Sequence, residues 1–126
     1  MSHDPQPTDR KYAATHEWFK VVDDSILIGI TDHAQCELGD IVFVELPDVG
    51  KKLEAGQSAA VIEAVKTVAD VYTPVAGEVI AVNTALGEDA GSVNRTPWDS
   101  WILKLRIEGT LPSDLLDAEG YQAHIG

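Results

Sequence analysis

The sequence predicts a mainly β domain: a flattened antiparallel sandwich with some barrel character, built from two quasi-symmetric halves. A short helix is expected near residues 32–38 and a C-terminal helix near 114–123. Three observations predict it. Short β-branched and apolar runs recur along most of the chain, and Gly, Pro and Asp punctuate them at turn-like positions. One segment then echoes another: Gly39-Asp40-Ile41-Val42-Phe43-Val44 resembles Gly77-Glu78-Val79-Ile80-Ala81-Val82, 38 positions later. Each copy goes on to a turn containing Ala-Gly, at Ala55-Gly56 and Ala90-Gly91, and then to a second apolar run, at residues 60–62 and 101–103. Two similar β-units that cannot each bury an apolar face alone are expected to pack face to face around one core.

The elements follow in order. Residues 1–11 are polar, contain Pro5 and Pro7, and read as a flexible leader. Residues 18–22 and 25–30 are apolar runs separated by Asp23-Asp24, a two-residue hairpin signal. Thr31 is placed to cap the helix at 32–38, and Gly39 to end it. Residues 40–46 form a β-branched run stopped by Pro47 and Gly50. Strands are expected at 57–62 and 68–72; Pro74 and Gly77 turn the chain into another at 78–82. A loop over 83–99 leads to a strand at 101–107. Ser113 is placed to cap the last helix, with Leu115, Leu116, Tyr121 and Ile125 as apolar anchors. Val42, Val44, Ile62, Val79, Val82 and Ile102 are the expected core positions.

Composition excludes several functions. The chain has 126 residues, enough for one domain, here assigned to 12–125. It carries 9 Lys and Arg against 21 Asp and Glu, a formal charge of −12. That balance repels phosphate backbones and anionic lipid, so neither nucleic acid nor a membrane is an expected partner. Cys36 is the single cysteine, so no intrachain disulfide is possible; a buried or half-buried structural thiol is expected there. The four histidines are scattered without metal-ligand spacing. No phosphate-binding glycine loop or nucleophile elbow is present. The chain therefore reads as something other than an enzyme with its own active site, and as a monomer of the bacterial cytoplasm.

One segment carries chemistry. In Ala64-Val65-Lys66-Thr67-Val68 a lysine stands between two short apolar strands, near the point of chain reversal. A hairpin tip offers its amine to solvent with little crowding, as a modifying enzyme requires. A lysine on a tight turn is usually just a solvated charge, and spacing alone favours that reading over modification.

A resemblance separates them. Glu63-Ala64-Val65-Lys66-Thr67-Val68-Ala69-Asp70, followed by Tyr72-Thr73-Pro74-Val75-Ala76-Gly77, resembles the lipoyl-lysine hairpin of the glycine cleavage system H proteins. Tyr12, His16-Glu17-Trp18, residues 28–35, residues 38–47, Val82-Asn83, Val93-Asn94, Pro97, Trp101 and residues 115–121 follow that family's order, so the resemblance spans nearly all of 12–125. Biotin carriers usually present Met-Lys-Met and the lipoyl domains of 2-oxoacid dehydrogenases Asp-Lys-Ala; Val65 and Thr67 match neither.

The resemblance implies a lipoyl-domain-like fold with its binding core at about 26–107. It implies (R)-lipoate held as an amide on Lys66. It implies a carrier that moves an aminomethyl group between glycine decarboxylase and aminomethyltransferase and is reoxidised by dihydrolipoamide dehydrogenase. An alkyl amine is almost wholly protonated at neutral pH, so a lipoate-protein ligase or octanoyltransferase has to supply the activated acyl group. Glu63, Val65, Thr67 and Asp70 are implied in recognition of the hairpin by that enzyme. Glu17, His33 and Asp70 are implied in a cleft where the arm folds back. The sequence departs from the family pattern at Ala64, where serine is frequent, and at the short Pro97-Trp98-Asp99-Ser100-Trp101 run. Two alternatives therefore stay open. One is an H-like lipoate-binding protein of a heterodisulfide-reductase-like sulfur oxidation pathway. The other is a relay that donates lipoyl groups to other proteins.

Overall fold

A computed structural model describes residues 7–125. Strands β1 (Lys11–Tyr12), β2 (Glu17–Val22) and β3 (Ser25–Ile30) open the chain, followed by helix α1 (Asp32–Leu38). Next come β4 (Ile41–Glu45), β5 (Lys52–Leu53), β6 (Ser58–Ala64), β7 (Val68–Tyr72) and β8 (Gly77–Val82). Two single-turn helices, α2 (Ala85–Glu88) and α3 (Ser92–Arg95), lead to β9 (Leu103–Ile107) and α4 (Ala118–Ile125). The strands form two antiparallel sheets, ordered β1-β2-β3-β9-β8-β5 and β4-β6-β7. They enclose one main core that includes Phe19, Ile28, Ile62, Val79, Ile102 and Leu105.

The internal echo is real in three dimensions. In the first copy β4 pairs antiparallel with β6, and in the second β8 pairs antiparallel with β9. The copies lie in different sheets, so they face each other across the core. Each carries a register shift at the same place in the repeat, between Ile41 and Phe43 and between Val79 and Ala81. An extra residue on one strand bends it and increases its twist, which lets both sheets curve around the shared interior.

The same irregularity corrects one core assignment. Ile41 and Val44 are buried, but Val42 is 59% and Phe43 47% exposed, because the shift turns two successive side chains outward. Val44, Ile62, Val79 and Ile102 are buried as expected, and Val82 is half-buried. Cys36 is exposed, contrary to expectation. It lies two residues from Ala34, the buried residue of α1, and a two-residue step around a helix reaches the opposite face.

The caps of α1 are those expected. Thr31 Oγ1 accepts the Ala34 N–H at 3.1 Å, and Gly39 closes the helix at φ 77°. The last helix starts later than expected. Leu116 is extended and bridges Tyr12, and the Asp117 carboxylate, rather than Ser113, accepts the Gly120 N–H at 2.7 Å. The expected loop over 83–99 holds α2 and α3, which bury Leu86 and Val93. Asn94 ties this region to α1 and β4: its amide donates to Gly39 O and Gln35 Oε1, and its carbonyl accepts the Ile41 N–H.

A smaller cluster of Tyr12, Trp18 and Tyr121 holds α4 against the sheet. Arg10 lies over the Trp18 ring at 4.5 Å and donates to Trp98 O, so Arg10 and Lys11, assigned to the leader from sequence, belong to the folded body. Of the rest of that assignment, residues 1–9, the first six lie outside the described residues, and the Pro7 carbonyl accepts the Tyr12 hydroxyl. Gly29 stands opposite Trp18, and a Cβ there would lie 2.4 Å from the indole.

Ile62→Ala or Ile102→Ala is expected to lower the unfolding free energy by about 2–5 kcal/mol. Val42→Ala is expected to change it by less than about 0.5 kcal/mol. Urea denaturation of the three variants checks the inward and outward assignments together.

Candidate functional site

The β6–β7 hairpin closes in a two-residue turn. Ala64 N–H donates to Thr67 O at 2.8 Å, which leaves Val65 and Lys66 at the tip. Val65 N–H donates to Asp40 O at 3.0 Å and steadies the turn from the β4 side. Val65, Lys66 and Thr67 are all exposed, with Val65 at 69%. Glu63 pairs with Val68 immediately below, and Asp70 pairs with Val61. Since Ile62 points into the core, the alternation of a strand turns Glu63 to the outer face. Asp70 is exposed and accepts the Ser58 hydroxyl at 2.9 Å. The tip thus presents one amine among apolar and acidic neighbours. Val65 and Thr67 flank Lys66, Glu63 lies one residue pair below the turn, and Asp70 lies three pairs down the hairpin.

Beside β7 runs a cleft of about 160 Å³, walled by Ile30, Ala34, Leu38, Ile62, Ala69 and Val71. Glu17 and Asp70 both line it, so two of the three residues assigned to such a cleft do meet there. With a strand rise of about 3.3 Å per residue, Ala69 lies roughly 10 Å along the chain from Lys66. An extended lysine lengthened by an octanoyl-sized chain spans that distance.

Glu17 is the most constrained of these groups. It is only 2% exposed. Its Oε2 accepts the Tyr72 N–H at 3.0 Å, and its Oε1 takes the Thr15 hydroxyl. Burial pushes its carboxyl above the ordinary glutamic acid value, while the Thr15 and Tyr72 hydrogen bonds pull it back. This contact joins β2 of the larger sheet to β7 of the smaller one.

His33 is not in the cleft wall. On α1 the residues that line it are Ala34, Glu37 and Leu38, spaced i, i+3 and i+4, and His33 is one step around the helix. Its Nε2 meets the Glu37 carboxylate, and its ring lies 4.7 Å from that of His16. Thr15, His16 and Glu37, which do line the cleft, were not singled out for it from sequence. His16 carries a positive φ of 76°, rare outside glycine. Its Nδ1 is hydrogen-bonded to the Tyr121 hydroxyl at 2.8 Å. Burial, and after it the neighbouring His33, holds its imidazole below the ordinary histidine value. No local pattern announces this group, because its members come from β2, α1 and α4 together with the turn before β2.

The family model described as glycine cleavage H-protein matches residues 10–125. The chain belongs to the glycine cleavage H-protein family. A glycine cleavage system H protein from Thermus thermophilus is 52% identical over 119 residues, covering 92% of each chain. A glycine cleavage system H protein 2 from Pseudomonas aeruginosa is 50% identical over 121 residues, covering 94% of each. The crystal structure of a glycine cleavage system H protein from Mycobacterium marinum superposes with a TM-score of 0.88 at 36% identity, covering 96% of this chain and 99% of that one. The H-protein fold of two antiparallel sheets and a C-terminal helix therefore holds here, without a closed barrel.

In this H-protein family member, Glu17→Ala is expected to cost about 1–3 kcal/mol, because it orphans the Tyr72 N–H in a buried setting. Glu17→Gln keeps an acceptor for that N–H and is expected to cost clearly less. Thermal unfolding of the pair at one pH distinguishes a structural clip from a dispensable charge.

Proposed function

We propose that this chain is the lipoyl-bearing carrier of a glycine cleavage system, with lipoate held as an amide on Lys66. The observation that carries the reading is the setting of Lys66. It stands exposed at the tip of a two-residue turn on a hydrogen-bonded hairpin, within an arm's length of a cleft, in a chain of the H-protein family. The residues fit the group. The amine is uncrowded, the turn leaves room for a ligase or octanoyltransferase to close over it, and the cleft offers apolar walls to a hydrocarbon chain.

Bound on Lys66, the dithiolane would supply redox and one-carbon chemistry to the partners the family implies: glycine decarboxylase, aminomethyltransferase and dihydrolipoamide dehydrogenase. The protein's own residues do the rest. The hairpin holds the attachment point away from the core, so the arm swings without disturbing packing. Ile30, Ala69 and Val71 shelter it from water at rest. Glu17 and Asp70 would line a parked arm with acidic groups. Glu63, Val65, Thr67 and Asp70 give the loading enzyme an apolar and acidic surface to recognise. Tethering converts each transfer into a step at high local concentration once the carrier has docked. The carrier is read as a monomer of the cytoplasm without catalytic residues of its own. Among the described residues, no helix is long and apolar enough to cross a membrane.

Coexpression with a lipoate ligase is expected to add one lipoyl group per chain, and peptide mapping to place it on Lys66. A lipoyl group on Lys51 or Lys52 overturns the assignment. Lys66→Arg is expected to melt as the wild type does, since an exposed tip contributes little to stability, and to lose all glycine-dependent carbon dioxide exchange with glycine decarboxylase.

Docking is expected to be steered by charge, because partners of different shape meet one small acidic surface. Glu63→Gln with Asp70→Asn is expected to slow association of the lipoylated protein with glycine decarboxylase at low ionic strength. The loss should fade as salt shortens the screening length to about 8–10 Å. Asp23→Asn with Asp24→Asn, at the far end of the β2–β3 hairpin, is the control expected to do less. Glu17 is buried and plays no part in this steering. Association rates across a salt series decide between local steering and net charge.

A further inference from the structure

Beside the cleft, but apart from Lys66, the chain gathers two imidazoles and a carboxylate. One ring nitrogen each of His16 and His33 and a carboxylate oxygen of Glu37 all lie within 4.8 Å of one another. His33 and Glu37 stand one helical turn apart on α1, so they share a face. His16 reaches them from the turn before β2, and its backbone is held firmly for the purpose. Its N–H donates to Ala13 O at 2.9 Å and its carbonyl accepts the Thr31 N–H at 3.0 Å, which fixes the residue at its positive φ. Backbone held in such a region marks sites where geometry is imposed from outside the residue.

The ring of His16 is also oriented from behind. Its Nδ1 meets the Tyr121 hydroxyl at 2.8 Å, and that hydroxyl meets Thr31 Oγ1 at 2.7 Å. Thr31 Oγ1 in turn accepts the Ala34 N–H that caps α1. A ligating histidine characteristically has its ring set by a hydrogen bond of this kind to a second residue. The chain Ala34–Thr31–Tyr121–His16 therefore locks a ring from one end of the cluster to the helix that bears the other two members. His124 lies alongside, 5.9 Å from His16 between ring centroids, with its Nε2 on Ala14 O.

We propose that His16, His33 and Glu37 form a site for one borderline divalent cation of the zinc class. Two imidazoles and one carboxylate are the donor set of three-ligand zinc sites that keep a position open. They do not suit calcium or magnesium, which take oxygen ligands almost exclusively. Occupancy requires the His33–Glu37 contact to open by rotation of the exposed Glu37 side chain. Because His16 and Glu37 also line the cleft, an ion held there sits at its wall. The site does not depend on Lys66 or its modification.

The test uses the full chain, unlipoylated and stripped of metal. Zinc is titrated in by calorimetry, and cobalt(II) is added separately to read the visible absorption of a tetrahedral ion. The expected result is one zinc per chain, a raised melting temperature on zinc addition, and tetrahedral cobalt absorption. His33→Ala and Glu37→Gln are each expected to weaken zinc at least tenfold and to abolish the melting shift. Both are partly exposed positions on α1, so the metal-free variants should melt near the wild type, whereas His16 substitutions risk the fold. His124→Ala is expected to change affinity less than threefold. No zinc binding by the wild type, or less than a tenfold loss in either α1 variant, overturns the assignment.

Discussion

The placement of Lys66 depends on one constraint: Ile62 must face inward. The β4-β6-β7 sheet buries one face only, and Ile62 lies at its centre with no exposed surface. Side chains of a strand alternate, so a slip of one residue between β6 and β7 would carry Ile62 to solvent and Glu63 into the core. Burial of a large aliphatic side chain is worth about 1.5–3 kcal/mol, and burial of an unpaired carboxylate costs more. The register Ile62 with Ala69 and Glu63 with Val68 is therefore strongly preferred, and the two-residue turn is what remains between them. The exposed amine at the tip is a consequence of packing two residues below it.

The second half of the fold supplies the wall against which that sheet packs. The two copies of the repeat contribute Ile41 and Val44 from one side and Val79 and Leu105 from the other. The matched register shifts at 42 and 80 are what let two short hairpins curve over each other. The shift at 42 also turns Val42 and Phe43 outward. On that outer face Phe43, Glu63 and Val68 stand in one cross-strand row, and Glu45, Val61 and Asp70 in the next. Interleaved apolar and acidic side chains around a tip suit brief docking better than permanent association, since their charges favour fast encounter and the apolar area is small.

Much of the scaffold was legible because it is written locally. The Asp23-Asp24 turn, the Thr31 cap, the Gly39 stop and the alternation through 58–64 each depend on a few adjacent residues. The exposure of Val42 was not legible, because a bulge breaks the period of two that the core assignment relied on. The exposed Cys36 was misplaced by its residue type, where its angular position relative to Ala34 decides. At the site, the hairpin residues could be named because they are contiguous. The cleft was half legible: Glu17 and Asp70 were reached through resemblance, while Glu37 and His16 join it through tertiary packing alone. Nothing in the order 16, 33, 37, 121 forecasts that these side chains meet; it takes the docking of α4 through Tyr121 to bring them together.

The edge strand β7 explains why a cleft persists there at all. An unpaired edge invites another strand, by closing the gap or by joining two molecules. Here the edge is blunted in several ways. Asp70 places a charge in its middle, the pairing of β6 and β7 is irregular between Ser58 and Ala60, and Pro74 removes a donor just beyond its end. Glu17 then takes the Tyr72 N–H, which a neighbouring strand would otherwise need. A carboxylate is a better blocker than a backbone carbonyl because it satisfies the donor without offering a donor of its own, so pairing cannot propagate from it. The buried charge of Glu17 thus does more than clip two sheets together. It satisfies a donor of β7 where α1 and β2 approach, and the space left between them has an apolar floor with polar groups at its margin, open at one side and within reach of Lys66.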